Sequence, residues 1–352
     1  MLSVANVRTA GGAANYFAAD NYYTRADAER SGQWLGKGAE TLGLRGVIEA
    51  SQFEAVLKGM LPDGIRVGTD NRAHRAGTDL TFSMPKSWSI LALVGGDRRI
   101  LDAYGAAVRE TLAWAEKNLA ETRMDVRGKE RVVATRNLVI GLFQHDANRN
   151  QEPNAHFHAV IANVTQGPDG KWRALRNDKL WEHNTLLNAM TMARFRLAVE
   201  KLGYQVGEYG KHGNFEAVGV PKPVRDAFSS RRAEILDKLS TMESKGLAAR
   251  NAANLMTRAD KGPVADRQAL VRAAKKIDKS VTRFDSRRVG AGLVGSACSV
   301  HFARCNPGDA DVGVFGAPYG SVAIPDMRGC AGKGLAGSDD RGSEEGKHWR
   351  AT

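Results

Sequence analysis

The pattern of apolar and polar positions predicts two short strands. TDLTFSMP at 78–85 alternates and ends at Pro85, and SVANVRT at 3–9 is a candidate first strand. The apolar segment SWSILALVGG at 87–96 predicts a third strand, ended by a glycine pair. Asp97 is then the predicted N-cap of a helix, because apolar residues recur after it at helical spacing. These apolar residues are Leu101, Tyr104, Val108, Leu112 and Leu119.

Two further apolar runs predict an antiparallel pair of strands. The runs at 130–147 and 155–165 are rich in branched and aromatic residues, and the polar segment DANRNQEPN at 146–154 connects them. Residues 178–202 and 221–239 predict two more helices. Because strands and helices mix without a regular strand–helix–strand repeat, we expect an α+β fold with an antiparallel sheet.

The charge balance favours a polyanionic partner. The chain has 352 residues and a net charge of +12, from 51 basic and 39 acidic side chains. Residues 289–352 carry 6 basic and 7 acidic side chains, so the whole excess lies in residues 1–288. No apolar run reaches membrane-spanning length, and the first residues lack the pattern of a secretion signal. We therefore expect a cytoplasmic protein without membrane insertion.

The composition changes after residue 288. Residues 289–352 hold 13 of the 38 glycines and show no helical periodicity, so we expect a poorly ordered tail there. All three cysteines lie in this tail, so residues 1–288 use neither disulfides nor thiolate ligands, which fits a reducing cytoplasm. The chain lacks a phosphate-binding GxxxxGK[ST] loop, so we expect no helicase domain. A truncated or frame-altered gene end is our hypothesis for the tail.

Three histidines are candidate metal ligands. On a strand, His156 and His158 share one face while Phe157 points to the other. If the two strands around the 146–154 loop pair, His145 lies beside them, and three neutral nitrogens with an open position are typical of a catalytic metal site. The plainer reading is a half-buried strand with polar residues at its mouth. Three isolated histidines, His74, His183 and His212, fit surface or capping positions.

Three of the seven tyrosines lie close together near the N-terminus. Tyr16, Tyr22 and Tyr23 fall within NYFAADNYY at 15–23. An isolated cluster of this kind usually packs in a core. Beside a metal-bound phosphate, however, a tyrosine is a competent nucleophile once a base or cation promotes loss of its phenolic proton.

Four segments together resemble one known family. MLSVANVRTAGGAANYF, WLGKGAETLGLRG, GTDLTFSMPKSWS and FQHDANRNQEPNAHFHAVIANVT, in this order, are similar to the relaxase domain of conjugative plasmid proteins of the TrwC/TraI type, which are HUH endonucleases. The likeness covers roughly residues 1–285. It implies a five-stranded antiparallel sheet flanked by helices, with a helical fingers region. It also implies site- and strand-specific DNA nicking and strand transfer at a plasmid origin of transfer. The reaction would pass through a covalent 5′-phosphotyrosyl intermediate, and it would initiate and terminate conjugative DNA transfer.

The resemblance also implies roles for individual residues. Tyr16 matches the first nucleophile of the family, and Tyr22 or Tyr23 matches the second. Asp79 matches an acidic residue beside the site. Phe17 occupies a position where the family often has another tyrosine. The resemblance implies that a divalent ion is bound by His145, His156 and His158. Mg²⁺ or Mn²⁺ is the expected ion, and Zn²⁺ is the alternative. Candidate phosphate contacts are Arg8, Arg72, Arg75, Lys86 and Arg149. Candidate base-stacking residues are Trp34, Trp88 and Trp172, although core or surface packing is the favoured interpretation for each.

The expected partner is single-stranded DNA at the origin of transfer, with relaxosome accessory proteins and a coupling protein as candidate further partners. Three other functions compete. One is a rolling-circle replication initiator or transposase of the same HUH class. Another is a catalytically silent single-stranded DNA-binding remnant. A metal-dependent hydrolase of small molecules is the third, but it leaves the basic excess and the tyrosine cluster unexplained.

Overall fold

A five-stranded antiparallel sheet forms the centre of the fold, as the family resemblance implied. The computed structural model describes residues 1–7, 9–13, 32–68, 74–148, 150 and 152–257. The predicted tail at 289–352 lies outside these residues. The strands are β1 (Leu2–Val7), β2 (Gln33–Leu35), β3 (Gly77–Ser83), β4 (Glu121–Val126), β5 (Lys129–Ala134), β6 (Ile140–Ala147), β7 (Pro153–Ala162), β8 (Thr165–Gln166) and β9 (Trp172–Arg173). The central sheet has the order β1-β3-β7-β6-β2, while β4–β5 and β8–β9 form two separate ribbons.

Helices cover both faces of this sheet. The described α-helices are α1 (Lys37–Thr41), α2 (Ala50–Leu57), α3 (Lys86–Leu93), α4 (Arg98–Leu119), α5 (Asp178–Glu182), α6 (Asn184–Lys201), α7 (Lys222–Ala227), α8 (Ser230–Ser240) and α9 (Leu247–Met256). None of the described helices combines the length and the apolar character needed to cross a membrane.

The pleat of β7 divides the core in two. Phe157 and Ile161 belong to the larger core, which includes residues of α3, α4 and α6. Val160 belongs to a smaller core on the other face, together with Phe53 of α2 and Trp34 of β2. Since successive strand residues point to opposite faces, both faces near the end of β7 are buried, and the strand is held between two apolar layers.

The strand predicted at 87–96 is wrong, because this segment contains helix α3. Pro85 occupies the N-cap position, and the Glu216 carboxylate accepts a hydrogen bond from the Ser87 amide at 2.8 Å. Every residue from Ser87 to Leu93 is buried. A helix buried on all sides has no polar face, so its sequence cannot be told from that of a buried strand by periodicity.

Other predicted boundaries differ from those of the structure. The run at 130–147 contains two strands, β5 and β6, separated by a segment in which Arg136 has a φ of 56°. The helix predicted at 178–202 is broken at His183 into α5 and α6, and the one at 221–239 is α7 followed by α8. The predicted Asp97 cap is confirmed, since its carboxylate accepts from the Arg99 amide at 3.1 Å.

A buried carboxylate links α4 to two other elements. Oε1 of Glu116 accepts hydrogen bonds from the amides of Lys37 at 2.7 Å and Leu138 at 2.8 Å. Gly36 precedes Lys37 with a φ of 98°, and a Cβ there would lie 2.3 Å from the Leu138 carbonyl oxygen. Glu116 therefore fixes α1 and the chain that leads into β6. Burial raises the pKa of the Glu116 carboxyl despite these two hydrogen bonds.

Replacing Glu116 by Ala should lower the free energy of unfolding by about 2–4 kcal/mol, since the part-buried amide of Lys37 and the buried amide of Leu138 lose their acceptor. The ordinary pKa of 4.5 is raised in the folded chain. The contribution of Glu116 to stability is thus greatest below that ordinary value and falls as pH rises through the raised one. Denaturant unfolding measures the free energy of unfolding of the unaltered protein and of Glu116→Gln between about pH 4 and about pH 8. The advantage of the unaltered protein over the variant should fall as pH rises, and a pH-independent difference would contradict the raised pKa of Glu116.

Candidate metal centre

The register between β6 and β7 brings the three histidines together. His145 on β6 lies directly opposite His156 on β7, and His158 follows on the same face two residues later. The ring centroids are separated by 5.2 Å between His145 and His156, by 4.9 Å between His145 and His158, and by 5.1 Å between His156 and His158. His145 and His158 are buried, and His156 is half-buried. Among the described residues, this is the one cluster of metal-ligating side chains found, with ligand atoms all within 4.8 Å of one another.

A carboxylate on β3 orients His158. Nδ1 of His158 lies 2.8 Å from Oδ2 of Asp79, and the Thr81 hydroxyl donates to the same oxygen at 3.2 Å. An ionised carboxylate only accepts hydrogen bonds, so we assign the proton of this imidazole to Nδ1. Nε2 is then the ring nitrogen that carries the lone pair, as in carboxylate–histidine–metal arrangements.

A backbone carbonyl orients His156 in the same way. Nδ1 of His156 lies 2.8 Å from the carbonyl oxygen of Asn154, which lies two residues earlier on β7. A carbonyl also only accepts, so the proton again belongs on Nδ1 and the lone pair on Nε2. Two of the three imidazoles therefore have the tautomer that a metal ligand needs.

These residues fit a divalent cation. Two ligands at about 2.0–2.2 Å from one ion are at most about 4.4 Å apart, so the observed separations need only small side-chain adjustments. Three imidazoles without a fourth ligand from the described residues leave a position open. An open position is typical of catalytic rather than structural sites.

Several predicted site residues lie outside the described residues. The three tyrosines are Tyr16, Tyr22 and Tyr23, and three of the predicted phosphate contacts are Arg8, Arg72 and Arg149. The structure therefore brings together Asp79 and the three histidines of the predicted site.

The two other predicted phosphate contacts make contacts within the protein. Arg75 donates to the Asn163 side chain at 3.3 Å, and Lys86 donates to the Pro153 carbonyl at 2.8 Å, at the start of β7. Burial lowers the pKa of the Lys86 ammonium. Each side chain thus supports one end of β7.

The three tryptophans differ in accessibility. Trp34 and Trp88 are buried in the two cores, so base stacking is wrong for both. Trp172 on β9 is half-buried and lines a cleft.

Sequence reasoning missed two residues of the site. Thr81 shares a face with Asp79 through strand alternation, so the pattern TDLTFS held a signal for it. Asn154 contributes through its backbone carbonyl, which no residue pattern reveals.

Comparisons with known proteins agree with this geometry. The model of the TrwC relaxase family matches residues 10–280. The multifunctional conjugation protein TraI of Escherichia coli strain K12 is 42% identical over 274 residues, which are 74% of this chain and 15% of TraI. A second Escherichia coli TraI is 41% identical over the same length. The chain thus spans about 15% of the length of these relatives.

Solved structures of the conjugative relaxase TrwC in complex with oriT DNA are also similar. A metal-bound structure is 36% identical, with a TM-score of 0.73, and covers 80% of this chain and 99% of its own. A copper-bound structure is 37% identical with a TM-score of 0.72 and the same coverage. Another, with a 27-mer DNA comprising the recognition hairpin and the cleavage site, is 36% identical with a TM-score of 0.71 and again the same coverage. The resemblance in the sequence motifs is confirmed, and this chain belongs to the TrwC relaxase family.

Proposed function

We propose that this protein nicks one DNA strand at a plasmid origin of transfer and later rejoins it, through a 5′-phosphotyrosyl intermediate. The observation that carries the proposal is the oriented triad of imidazoles beside Asp79, in a chain of the TrwC relaxase family. TrwC relatives are complexed with oriT DNA. The relaxase domain would comprise residues 1–288. This function would place the protein in the cytoplasm, with relaxosome accessory proteins and a coupling protein as further partners.

His145, His156 and His158 would hold the divalent ion of this reaction. Imidazole donors suit Zn²⁺ better than Mg²⁺ or Mn²⁺, which prefer oxygen ligands, so the ligand set favours Zn²⁺, with Mn²⁺ as the alternative. A bound ion would offset the negative charge that develops on the phosphoryl oxygens and would orient the phosphate. Asp79 and Thr81 contribute by keeping Nε2 of His158 directed at the ion.

Tyr16 is the proposed nucleophile. Its phenolic oxygen would form a bond to the scissile phosphorus while the bond from phosphorus to the 3′ oxygen breaks. The phenolic proton would pass to a base, and the leaving oxygen would take up a proton to become a 3′-hydroxyl. Oδ1 of Asp79 is buried and has no hydrogen-bond partner among the described residues, so it has the capacity to accept a proton. Tyr22 or Tyr23 would be the nucleophile of a second DNA strand transfer.

The β4–β5 ribbon is the proposed surface for duplex DNA. In its register Arg131 pairs with Met124 and Lys129 pairs with Val126, so both cations share one face. The other face carries Glu130, whose carboxylate lies 3.7 Å from Arg123. A two-stranded ribbon fits the major groove of a duplex, and TrwC has been solved with DNA that comprises a recognition hairpin. The Lys129–Arg131 face would therefore contact the stem of such a hairpin.

Replacing Tyr16 by Phe should abolish nicking while DNA binding is retained, because only the attacking oxygen is lost. The assay uses supercoiled plasmid carrying the cognate origin with Mn²⁺, and it scores relaxed DNA bearing covalent protein. Tyr209→Phe is the matched control, since Tyr209 is 56% exposed and far along the chain in the segment before α7. Nicking that persists in Tyr16→Phe would move the nucleophile to another tyrosine.

Replacing Asp79 by Asn should weaken Mn²⁺ binding by about 10- to 100-fold, as loss of the carboxylate behind a ligating histidine usually does. Isothermal titration calorimetry on the DNA-free protein measures the affinity. Asp237→Asn, at an exposed position of α8, makes the same chemical change away from the triad. Equal affinity in Asp79→Asn and Asp237→Asn would remove Asp79 from the metal centre.

Replacing Lys129 and Arg131 together by Ala should weaken binding of a hairpin oligonucleotide and reduce the slope of log affinity against log salt by about 2. Fluorescence anisotropy at several salt concentrations measures both quantities. Glu130→Gln changes the charge of the opposite ribbon face and should leave affinity unchanged or slightly higher. An unchanged salt slope in the double variant would exclude this face as the duplex contact.

A further inference from the structure

The outer face of helix α6 exposes a stripe of apolar side chains. Leu186 is 42% exposed and Leu197 is 59% exposed, while Met190 between them is half-buried. Ala189 and Ala193 are exposed along the same side of the helix. Single exposed leucines are ordinary on protein surfaces, but a contiguous apolar patch usually marks a contact surface.

The inner face of α6 already supplies the contacts of this helix with the rest of the fold. Leu187, Phe195 and Val199 are fully buried in the larger core. A helix at the surface of a domain usually carries polar side chains on the side away from the core. Packing within the chain therefore explains one apolar face of α6 and does not explain the other.

The exposed residues are spaced as in the contact line of two paired helices. Leu186, Met190, Ala193 and Leu197 follow one another at intervals of four, three and four residues. This is the spacing at which apolar side chains of one helix fit between those of a second helix. We call these four residues the α6 seam. It extends over three turns, or about 16.5 Å at 1.5 Å per residue.

The order of side chains in the α6 seam makes it complementary to itself. A two-fold axis between Met190 and Ala193 would place Leu186 against Leu197 of a second copy, and the reverse. The same axis places the long side chain of Met190 opposite the small Ala193 of the second copy. An interface about a two-fold axis requires this self-complementary order, because both copies use the same surface. A different partner protein would not require it.

The charges beside the α6 seam are compatible with self-association. The Arg194 guanidinium lies 3.0 Å from the Glu110 carboxylate of α4. The Arg196 guanidinium lies 2.9 Å from the Glu200 carboxylate on α6 itself. Both arginines are thus paired within their own chain, so a two-fold axis does not bring unpaired guanidinium groups together.

The α6 seam and the metal centre lie on opposite sides of the central sheet. Helix α6 packs in the larger core with Phe157 of β7. His156 and His158 alternate with Phe157 along the strand, so they point to the other face. Pairing through the α6 seam therefore leaves the metal centre of each copy accessible.

We propose that the α6 seam binds a second copy of this chain, with the two helices antiparallel about a two-fold axis between Met190 and Ala193. A helix pair in contact over three turns buries less than the about 1,200 Å² at which stable interfaces begin. The dimer is therefore weak and its population depends on protein concentration. This self-association is independent of the nicking reaction.

The first test is sedimentation equilibrium of the DNA-free full chain between about 10 and about 500 µM. The average mass should rise from monomer toward dimer over this range. Leu197→Glu should raise the dissociation constant at least about 10-fold, because the carboxylate would be buried against apolar side chains. Leu255→Glu, at a 57% exposed leucine of α9, is the matched control and should keep the association. A chain that stays monomeric throughout, or an equal loss in both variants, overturns the proposal.

The second test uses disulfide cross-linking and places no charge in the α6 seam. The background carries serine at each of the three cysteines, Cys298, Cys305 and Cys330. In the antiparallel pair, the two copies of residue 193 are about 4.5 Å apart along the helix axis, and those of residue 197 are about 16.5 Å apart. A disulfide spans only the shorter separation.

Mild oxidation should therefore give a covalent dimer of Ala193→Cys and leave Leu197→Cys monomeric on a non-reducing gel. A parallel pair would link both variants, since equal residues then lie side by side. Linking of Leu197→Cys, or no linking of Ala193→Cys, overturns the antiparallel seam.

Discussion

The site depends on one register, in which His145 of β6 pairs with His156 of β7. A shift of one residue would turn His156 and His158 toward the larger core and expose Phe157. That alternative is costly, since Phe157 and Ile161 are buried on one face and Val160 on the other. Packing of the two cores therefore selects the register, and the register assembles the three imidazoles. Burial of apolar side chains elsewhere on the strand thus determines the geometry of the polar site.

The elements around the site orient what the register brings together. The β3 strand supplies Asp79 for His158, and the backbone of β7 itself supplies the acceptor for His156. Lys86 holds the start of β7 through the Pro153 carbonyl. The turn that joins the two histidine strands also contacts α8, since the Glu152 carboxylate accepts a hydrogen bond from the Ser230 amide.

Alternation along strands predicted much of the fold and the described site. Apolar patterning predicted β3 from alternation and β7 from its branched and aromatic residues, and it placed His156 and His158 on one face of a strand paired with the strand of His145. It failed at α3, where complete burial hides the helical period, and it did not separate β5 from β6, because a turn with a left-handed Arg136 carries no glycine to mark it. The carbonyl of Asn154 could not be assigned, since no residue pattern reveals a backbone acceptor. Thr81 was missed although alternation places it on the face of Asp79. Tyr16 came from the family resemblance, and it lies outside the described residues.

The most direct measurement of the central claim is anomalous diffraction from crystals grown with Mn²⁺ and an uncut origin oligonucleotide. The account predicts one manganese peak coordinated by Nε2 of His145, His156 and His158, with an oxygen of the scissile phosphate in the open position and the phenol of Tyr16 facing the phosphorus. A peak bound elsewhere, coordination through Nδ1 of His158, or a scissile phosphate remote from the three imidazoles would contradict it.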